Sequence, residues 1–131
     1  LKRLVDQGCQ PRDIGVFGRT EVIVERAQQA LDRCGVSWVN LKDDEAVAEG
    51  AAAVGTMHRA KGLEFKFVVA MGCEQGQLPL AVALSSQVDL ADVESAREQE
   101  RGLLYVALTR ARERALATYS GSPSTLLPVG V

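Results

Sequence analysis

Residues 66–71, Lys-Phe-Val-Val-Ala-Met, form a continuous apolar run too short for a helix and without polar alternation. Such a run reads as a strand buried on both faces, which in turn requires helices on both sides of its sheet. The rest of the chain supplies them. Residues 14–17 make a second short apolar run, bounded by Pro11 and by Gly18-Arg19-Thr20. A helical period follows, with Ile23, Ala27, Ala30, Leu31 and Cys34 on one face and Gly35 placed as its left-handed stop. Residues 36–41 read as the next strand, so this unit predicts a right-handed parallel crossover.

Further strands are expected at 54–57 and 115–119, with residues 51–53 a short helix end. A long helix is expected over 94–112, with Leu103, Leu104, Ala107, Leu108 and Ala111 facing inward. Residues 42–50 read as an acidic turn, 72–79 as a loop, about 80–93 as a flexible connection and 120–131 as a tail. Alternating strands and helices give the fold class as α/β, a mainly parallel sheet flanked by helices in one domain. Ligands are expected at the carboxyl ends of its strands.

The chain has 131 residues, 47% hydrophobic and 24% charged, which is the composition of an ordinary globular domain. No apolar run approaches the ~20 residues of a membrane span. Leu1-Lys2-Arg3-Leu4 runs into polar residues, not a leader's apolar core. An initiator Met is absent, so the chain reads as a fragment of a longer protein. Cys9, Cys34 and Cys73 are odd in number and widely spaced. That pattern predicts no metal site and a reduced, cytoplasmic setting, with Cys34 and Cys73 as small buried hydrophobes.

Net charge is −2, against a bulk attraction to nucleic acid. Acid concentrates at 43–45 and across 89–100, while Arg59, Lys61, Arg110, Arg112 and Arg114 gather in two other segments. The first segment, Thr56-Met57-His58-Arg59-Ala60-Lys61-Gly62-Leu63-Glu64-Phe65, presents Thr56 and His58 on one face if the chain stays extended. A hydroxyl and an imidazole at a strand end suit phosphate or sugar oxygens, and Glu64 offers an acceptor for a ribose hydroxyl. Taken alone, His58 reads as a satisfied polar residue ending a strand, and Lys61 with Glu64 as a surface pair.

In the second segment, Glu100-Arg101-Gly102-Leu103-Leu104-Tyr105-Val106-Ala107-Leu108-Thr109-Arg110-Ala111-Arg112, Arg110 offers the planar donor fork that phosphate oxygens need. Arg112 and Arg114 read as solvated charges. Gly102 costs a helix about 1 kcal/mol relative to alanine. No Gly-x-x-x-x-Gly-Lys-Ser/Thr phosphate loop occurs anywhere in the chain. Gly72-Cys73-Glu74-Gln75-Gly76 is no dinucleotide fingerprint.

The first segment resembles motif V of superfamily 1 helicases of the UvrD/Rep type, Thr-x-His-x-Ala-Lys-Gly-Leu-Glu-Phe, with every specified residue present. The second resembles their motif VI, Glu-Arg-Arg-Leu-x-Tyr-Val-Ala-x-Thr-Arg-Ala, with Gly102 in place of the second Arg of Glu-Arg-Arg. Residues 14–20 are similar to motif IVa, although Phe17-Gly18 replaces the usual Leu-Tyr. The resemblance covers about residues 13–120. It implies a RecA-like domain of the P-loop NTPase type, the carboxyl-terminal motor half of an ATP-dependent DNA helicase.

By that resemblance Arg110 reaches the γ-phosphate, and Gly62 and Glu64 contact the nucleotide. Thr56 and His58 contact single-stranded DNA, and Arg19 and Thr20 belong to the DNA side; for Thr20 a helix cap is the equal alternative. ATP and Mg²⁺ are implied, held mainly by an N-terminal RecA-like partner domain. Larger relatives insert a helical subdomain between motifs IVa and V, where this chain has only residues 42–53. The competing function is a degenerate motor half that binds DNA or protein without ATPase coupling, for which Gly18 and Gly102 are the hints.

Overall fold

A computed structural model of the chain describes residues 9–43, 50–79 and 89–127. Residues 44–49 of the expected acidic turn at 42–50, residues 80–88 of the expected connection at about 80–93 and residues 128–131 of the expected tail lie outside the described residues. The elements in chain order are β1 (Ile14–Gly18), α1 (Glu21–Arg33), β2 (Trp38–Asn40), β3 (Ala52–Thr56), β4 (Phe65–Met71), α2 (Leu90–Leu108) and β5 (Ala111–Ala117). A 3-10 turn, Met57–Ala60, sits between β3 and β4.

All four strand pairings are parallel, and the sheet order is β2-β3-β1-β4-β5. The α/β expectation is met, with β1 as the most enclosed strand: all five of its residues are buried. β3, not β2, pairs beside β1, so the chain crosses over and returns before the sheet is complete. Residues 51–53, expected to end a helix, are instead buried at the start of β3, because Ala52 pairs with β2 and Ala53 and Val54 pair with both neighbouring strands.

Strand alternation divides the core in two. Ile14, Val16, Val54 and Val69 face α1, which contributes Val24, Ala27 and Leu31. Phe17, Ala53, Val68 and Ala70 face the other way, against Leu104 and Ala107 of α2 and Met57 and Ala60 of the 3-10 turn. Phe17 and Phe65 meet there with ring centroids 5.9 Å apart. The tail residues expected to be loose in fact close this second core: Leu126 is buried, and the Ser124 N–H donates to the Cys73 carbonyl at 2.8 Å. Cys73 is fully buried, and burial, with Glu74 adding to it, pushes its thiol up to about 11, whereas Cys34 is only half-buried.

Two glycines at the carboxyl edge are explained by one side chain. A Cβ on Gly18 would lie 2.5 Å from Ile23 Cγ2, and one on Gly72 would lie 2.8 Å from Ile23 Cδ1. Ile23, in the first turn of α1, is therefore packed directly onto the backbone ends of β1 and β4. This accounts for the small residue where the helicase motif carries an aromatic. Gly18→Ala is expected to destabilise the domain by about 1–3 kcal/mol by overpacking. Urea unfolding checks this, and adding Ile23→Ala should make the combined loss smaller than the sum of the two.

Candidate functional site: two edges of one sheet

The end of β1 and the end of β3 meet at the carboxyl edge, where Gly18 and Thr56 are register partners. Thr20 caps α1, its hydroxyl accepting from the Ile23 N–H at 3.5 Å. Arg19 turns inward. Its Nε donates to both carboxylate oxygens of Glu100, at 3.1 and 2.8 Å, and the side chains are only 15% and 3% exposed. A pair this deep is held by electrostatics in a poorly screened setting.

Glu100 is the functional-looking residue that sequence reasoning passed over. It lies four residues from Ala96 and from Leu104, on the helix face that is buried, and that spacing was the available signal.

After Thr56 the backbone does not stay extended. Met57 and Ala60 turn into the core, leaving His58 and Arg59 exposed on the 3-10 turn. Thr56 and His58 thus share the edge but not one face of a strand, a correction to the expected geometry. The cause is the burial of Met57, which cannot be reached from a straight continuation of β3. Arg19, Met57, His58 and Lys61 line a cavity of about 650 Å³ together with α2 residues that include Glu100, Gly102, Leu103 and Val106.

Motif V then crosses the molecule. β4 is parallel to β3's partner β1, so the chain must travel from the carboxyl edge back to the amino edge before β4 begins. Glu64 therefore stands at the amino edge, immediately before Phe65. α2 ends at the same edge. The Phe65 N–H donates to the Arg110 carbonyl at 2.9 Å, and Phe65 and Ala111 are register partners.

Gly62, Glu64, Thr109, Arg110 and Arg112 line a second pocket, of about 270 Å³. Gly62 has φ of 82°, a backbone conformation that favours glycine. The expectation of ligands at the carboxyl ends of the strands suits Thr56 and His58, whereas Glu64 and Arg110 come together at the opposite edge.

The expected helix through residue 112 is also corrected. α2 runs from Leu90, where Asp89 caps it by accepting from the Asp92 N–H at 2.9 Å, and it stops at Leu108. Its last carbonyls are taken locally: the Thr109 hydroxyl donates to Tyr105 O and Val106 O at 2.8 and 3.1 Å, and Arg110 Nε donates to Val106 O at 3.1 Å. With those carbonyls satisfied, the chain is free to pair with β4. Arg110 consequently sits in a turn, half-buried, and Arg112 on β5. Arg112 Nε lies 3.7 Å from Glu64 Oε1, with both side chains more than half exposed, so that pair contributes little to stability.

The Arg110 guanidinium is met by a carbonyl and by the Thr109 hydroxyl at 3.3 Å, and no carboxylate among the described residues pairs with it. Chemically, this edge offers an anchored guanidinium beside an exposed carboxylate. That fits an anion at Arg110 and a hydroxyl donor at Glu64. Among the described residues, no three His, Cys, Asp or Glu side chains gather as metal ligands. No described helix is long and apolar enough to cross a membrane.

A parallel α/β sheet carrying these two motif segments has the RecA-like architecture. Residues 26–122 match the family model of the UvrD-like helicase C-terminal domain, and the chain belongs to that family. It is 40% identical over 79 residues to the ATP-dependent DNA helicase PcrA of Staphylococcus aureus (strain Mu50 / ATCC 700699), covering 60% of this chain and 10% of that protein. PcrA of Bacillus subtilis (strain 168) is 34% identical over 83 residues, 63% of this chain and 10% of its own length. The chain thus spans about a tenth of the length of these curated relatives. A crystal structure of the C-terminal domain of a possible DNA helicase from Lactobacillus plantarum WCFS1 superposes with a TM-score of 0.66 at 23% identity, over 95% of this chain and 65% of that one. That likeness speaks for the fold alone.

Proposed function

We propose that this chain is the second motor half of an ATP-dependent DNA helicase or translocase, with a nucleotide edge and a DNA edge on opposite ends of the same strands. The observation that carries this reading is the shared pocket of Glu64 and Arg110 at the amino edge, tied by the Phe65–Arg110 backbone bond. Arg110 donates to the γ-phosphate of ATP delivered by a phosphate-loop domain, and Glu64 accepts from the ribose, with Gly62 allowing close backbone approach. ATP with Mg²⁺ supplies the phosphoryl group and its charge neutralisation, held mainly by that other domain.

Thr56 and His58 contact the backbone of single-stranded DNA. Arg19 acts on that edge through Glu100, orienting the loop after β1 rather than reaching far into solvent. α2 physically joins the two edges, since its Glu100 grips the carboxyl edge and its end presents Arg110. Closure against the partner domain would therefore be felt at the DNA edge as a rigid displacement of one helix. The proximity of cation and nucleotide is what such a motor half has to offer.

ATP hydrolysis tests the division of labour. The isolated chain is expected to release phosphate no faster than buffer, and the chain joined to a phosphate-loop domain is expected to turn over ATP in a DNA-stimulated manner. In the joined protein, His58→Ala should raise the DNA concentration needed for half-stimulation several-fold. Turnover by the isolated chain at the rate of the joined protein would refute the reading.

A further inference from the structure

Glu64 and Arg112 are the two charges of the amino-edge pocket whose meeting chain spacing does not foretell. Lys61, expected as the surface partner of Glu64, lines the carboxyl-edge cavity instead, beyond the left-handed turn at Gly62. Among the described residues Glu64 makes its ion pair with Arg112, which the sequence presents as a solvated charge.

Arg112 arrives there through an irregularity in β5. Phe65 is the register partner of Ala111 and Phe67 that of Arg114, so Arg112 and Glu113 together stand opposite Lys66 alone. An extra residue in one strand bends it and re-aims a side chain, and such bulges are over-represented next to active sites. Here Arg112, at the bulge, lines the pocket of about 270 Å³ with Glu64, Thr109 and Arg110. The two arginines are held differently. Arg110 is anchored by the Val106 carbonyl and the Thr109 hydroxyl, whereas Arg112 meets the Glu64 carboxylate.

The pair is suited to orienting a group, not to stabilising the fold. At 3.7 Å the contact from Nε to Oε1 is too long for a hydrogen bond, so both carboxylate oxygens keep lone pairs for another donor. A glutamate side chain 68% exposed would otherwise turn among its rotamers, and an opposite charge carried on a strand narrows that choice.

We infer that Arg112 is a positioning residue: it holds the Glu64 carboxylate where it accepts from the sugar hydroxyls of the nucleotide. Selection for ribose then belongs to the Glu64–Arg112 pair and not to Glu64 alone. The inference rests on the proposed nucleotide edge. When a partner domain closes over the pocket and water leaves, the attraction within the pair strengthens as the local dielectric falls. A sugar without hydroxyls gains nothing from that.

The test compares turnover of ATP with that of dideoxy-ATP, whose sugar lacks both hydroxyls, by the protein joining this chain to a phosphate-loop domain. Salt at ~0.15 M screens the exposed charges from distant phosphate. The parent is expected to favour ATP about tenfold in kcat/KM, the lower end for a hydrogen bond to a charged group. Arg112→Ala should lower kcat/KM about fivefold for ATP and less than twofold for dideoxy-ATP, and Arg112→Lys should recover part of the ratio. Glu64→Ala should bring the ratio to about one, with Arg112→Ala adding nothing further to it. Equal losses on both nucleotides would make Arg112 a phosphate contact or a structural residue and overturn the inference. So would a preference that Arg112→Ala leaves intact while Glu64→Ala removes it. Either result leaves Glu64 on the ribose. A preference that is absent from the parent or survives Glu64→Ala overturns the ribose assignment as well, and no turnover of either nucleotide overturns the motor reading with it.

Discussion

Arg110→Ala, in a protein joining this chain to a phosphate-loop domain, is expected to lower ATP turnover by about 10³- to 10⁵-fold. Affinity for single-stranded DNA should change less than twofold. The magnitude follows from what a guanidinium does at a transferring phosphoryl group: it stabilises charge that develops only in the transition state. Position matters as much as charge. The Arg110 backbone is fixed by the Phe65 N–H, which the substitution leaves in place, and the side chain's own anchor is the bond from Nε to the Val106 carbonyl at 3.1 Å.

Losing that bond costs about 1 kcal/mol of stability, too little to unfold an ordinary domain. Arg110→Lys keeps a point charge and loses the fork, so it should recover only part of the rate. Steady-state phosphate release, read beside DNA anisotropy, separates the two effects. Equal turnover for the parent and Arg110→Ala would remove the finger assignment.

Glu100→Ala is expected to destabilise the domain by about 3–5 kcal/mol, the range for breaking a buried ion pair from one side. It strands the Arg19 guanidinium, 15% exposed, against the apolar walls of the α2 cavity. Glu100→Gln should cost less, since an amide oxygen still accepts. Replacing both partners, as Arg19→Met with Glu100→Leu, should recover most of the loss, because neither charge then remains to be solvated. Urea denaturation of the three variants checks the pattern. A loss below 1 kcal/mol for Glu100→Ala would mean that the pair is dispensable to the fold.

The strands and helix that bury one uninterrupted apolar pattern were legible in the residues. β1, α1 and β4 appear within a residue or two of where apolar runs and helical spacing place them, and Gly35 has the positive φ expected of a helix stop. The end of α2 and the start of β5 were not legible, for a physical reason. Ala111-Arg112-Glu113-Arg114-Ala115 is a good helix sequence by local propensity, and its long-range pairing with β4, from Phe65 opposite Ala111 to Ala70 opposite Ala117, pulls it into the sheet.

β5 is also an edge strand, exposed from Arg112 to Leu116, so it lacks the alternation that marks a half-buried strand. The beginning of α2 carried a usable signal inside the expected flexible connection: Asp89 and Asp92 at cap spacing.

For the candidate site, the motif residues were visible and their placement was not. Spacing along the chain puts Thr56 and Glu64 eight residues apart, but it does not say that a parallel β4 forces those residues to opposite edges. Nor did the sequence reveal the partner of Arg19, because Glu100 is 81 positions away and is polar in a helix face otherwise made of Ala and Leu. Long-range pairing decides such cases, and local pattern carries no record of it.

The account stands or falls on the separation of the two edges. Backbone amide shifts of the isotopically labelled chain, followed during titration with a short oligothymidylate, measure it directly. The account predicts shifts at Thr56, His58 and Lys61 on the carboxyl edge, with Glu64, Arg110 and Arg112 unmoved. Shifts centred on Glu64 and Arg110, with Thr56 and His58 unaffected, would contradict it.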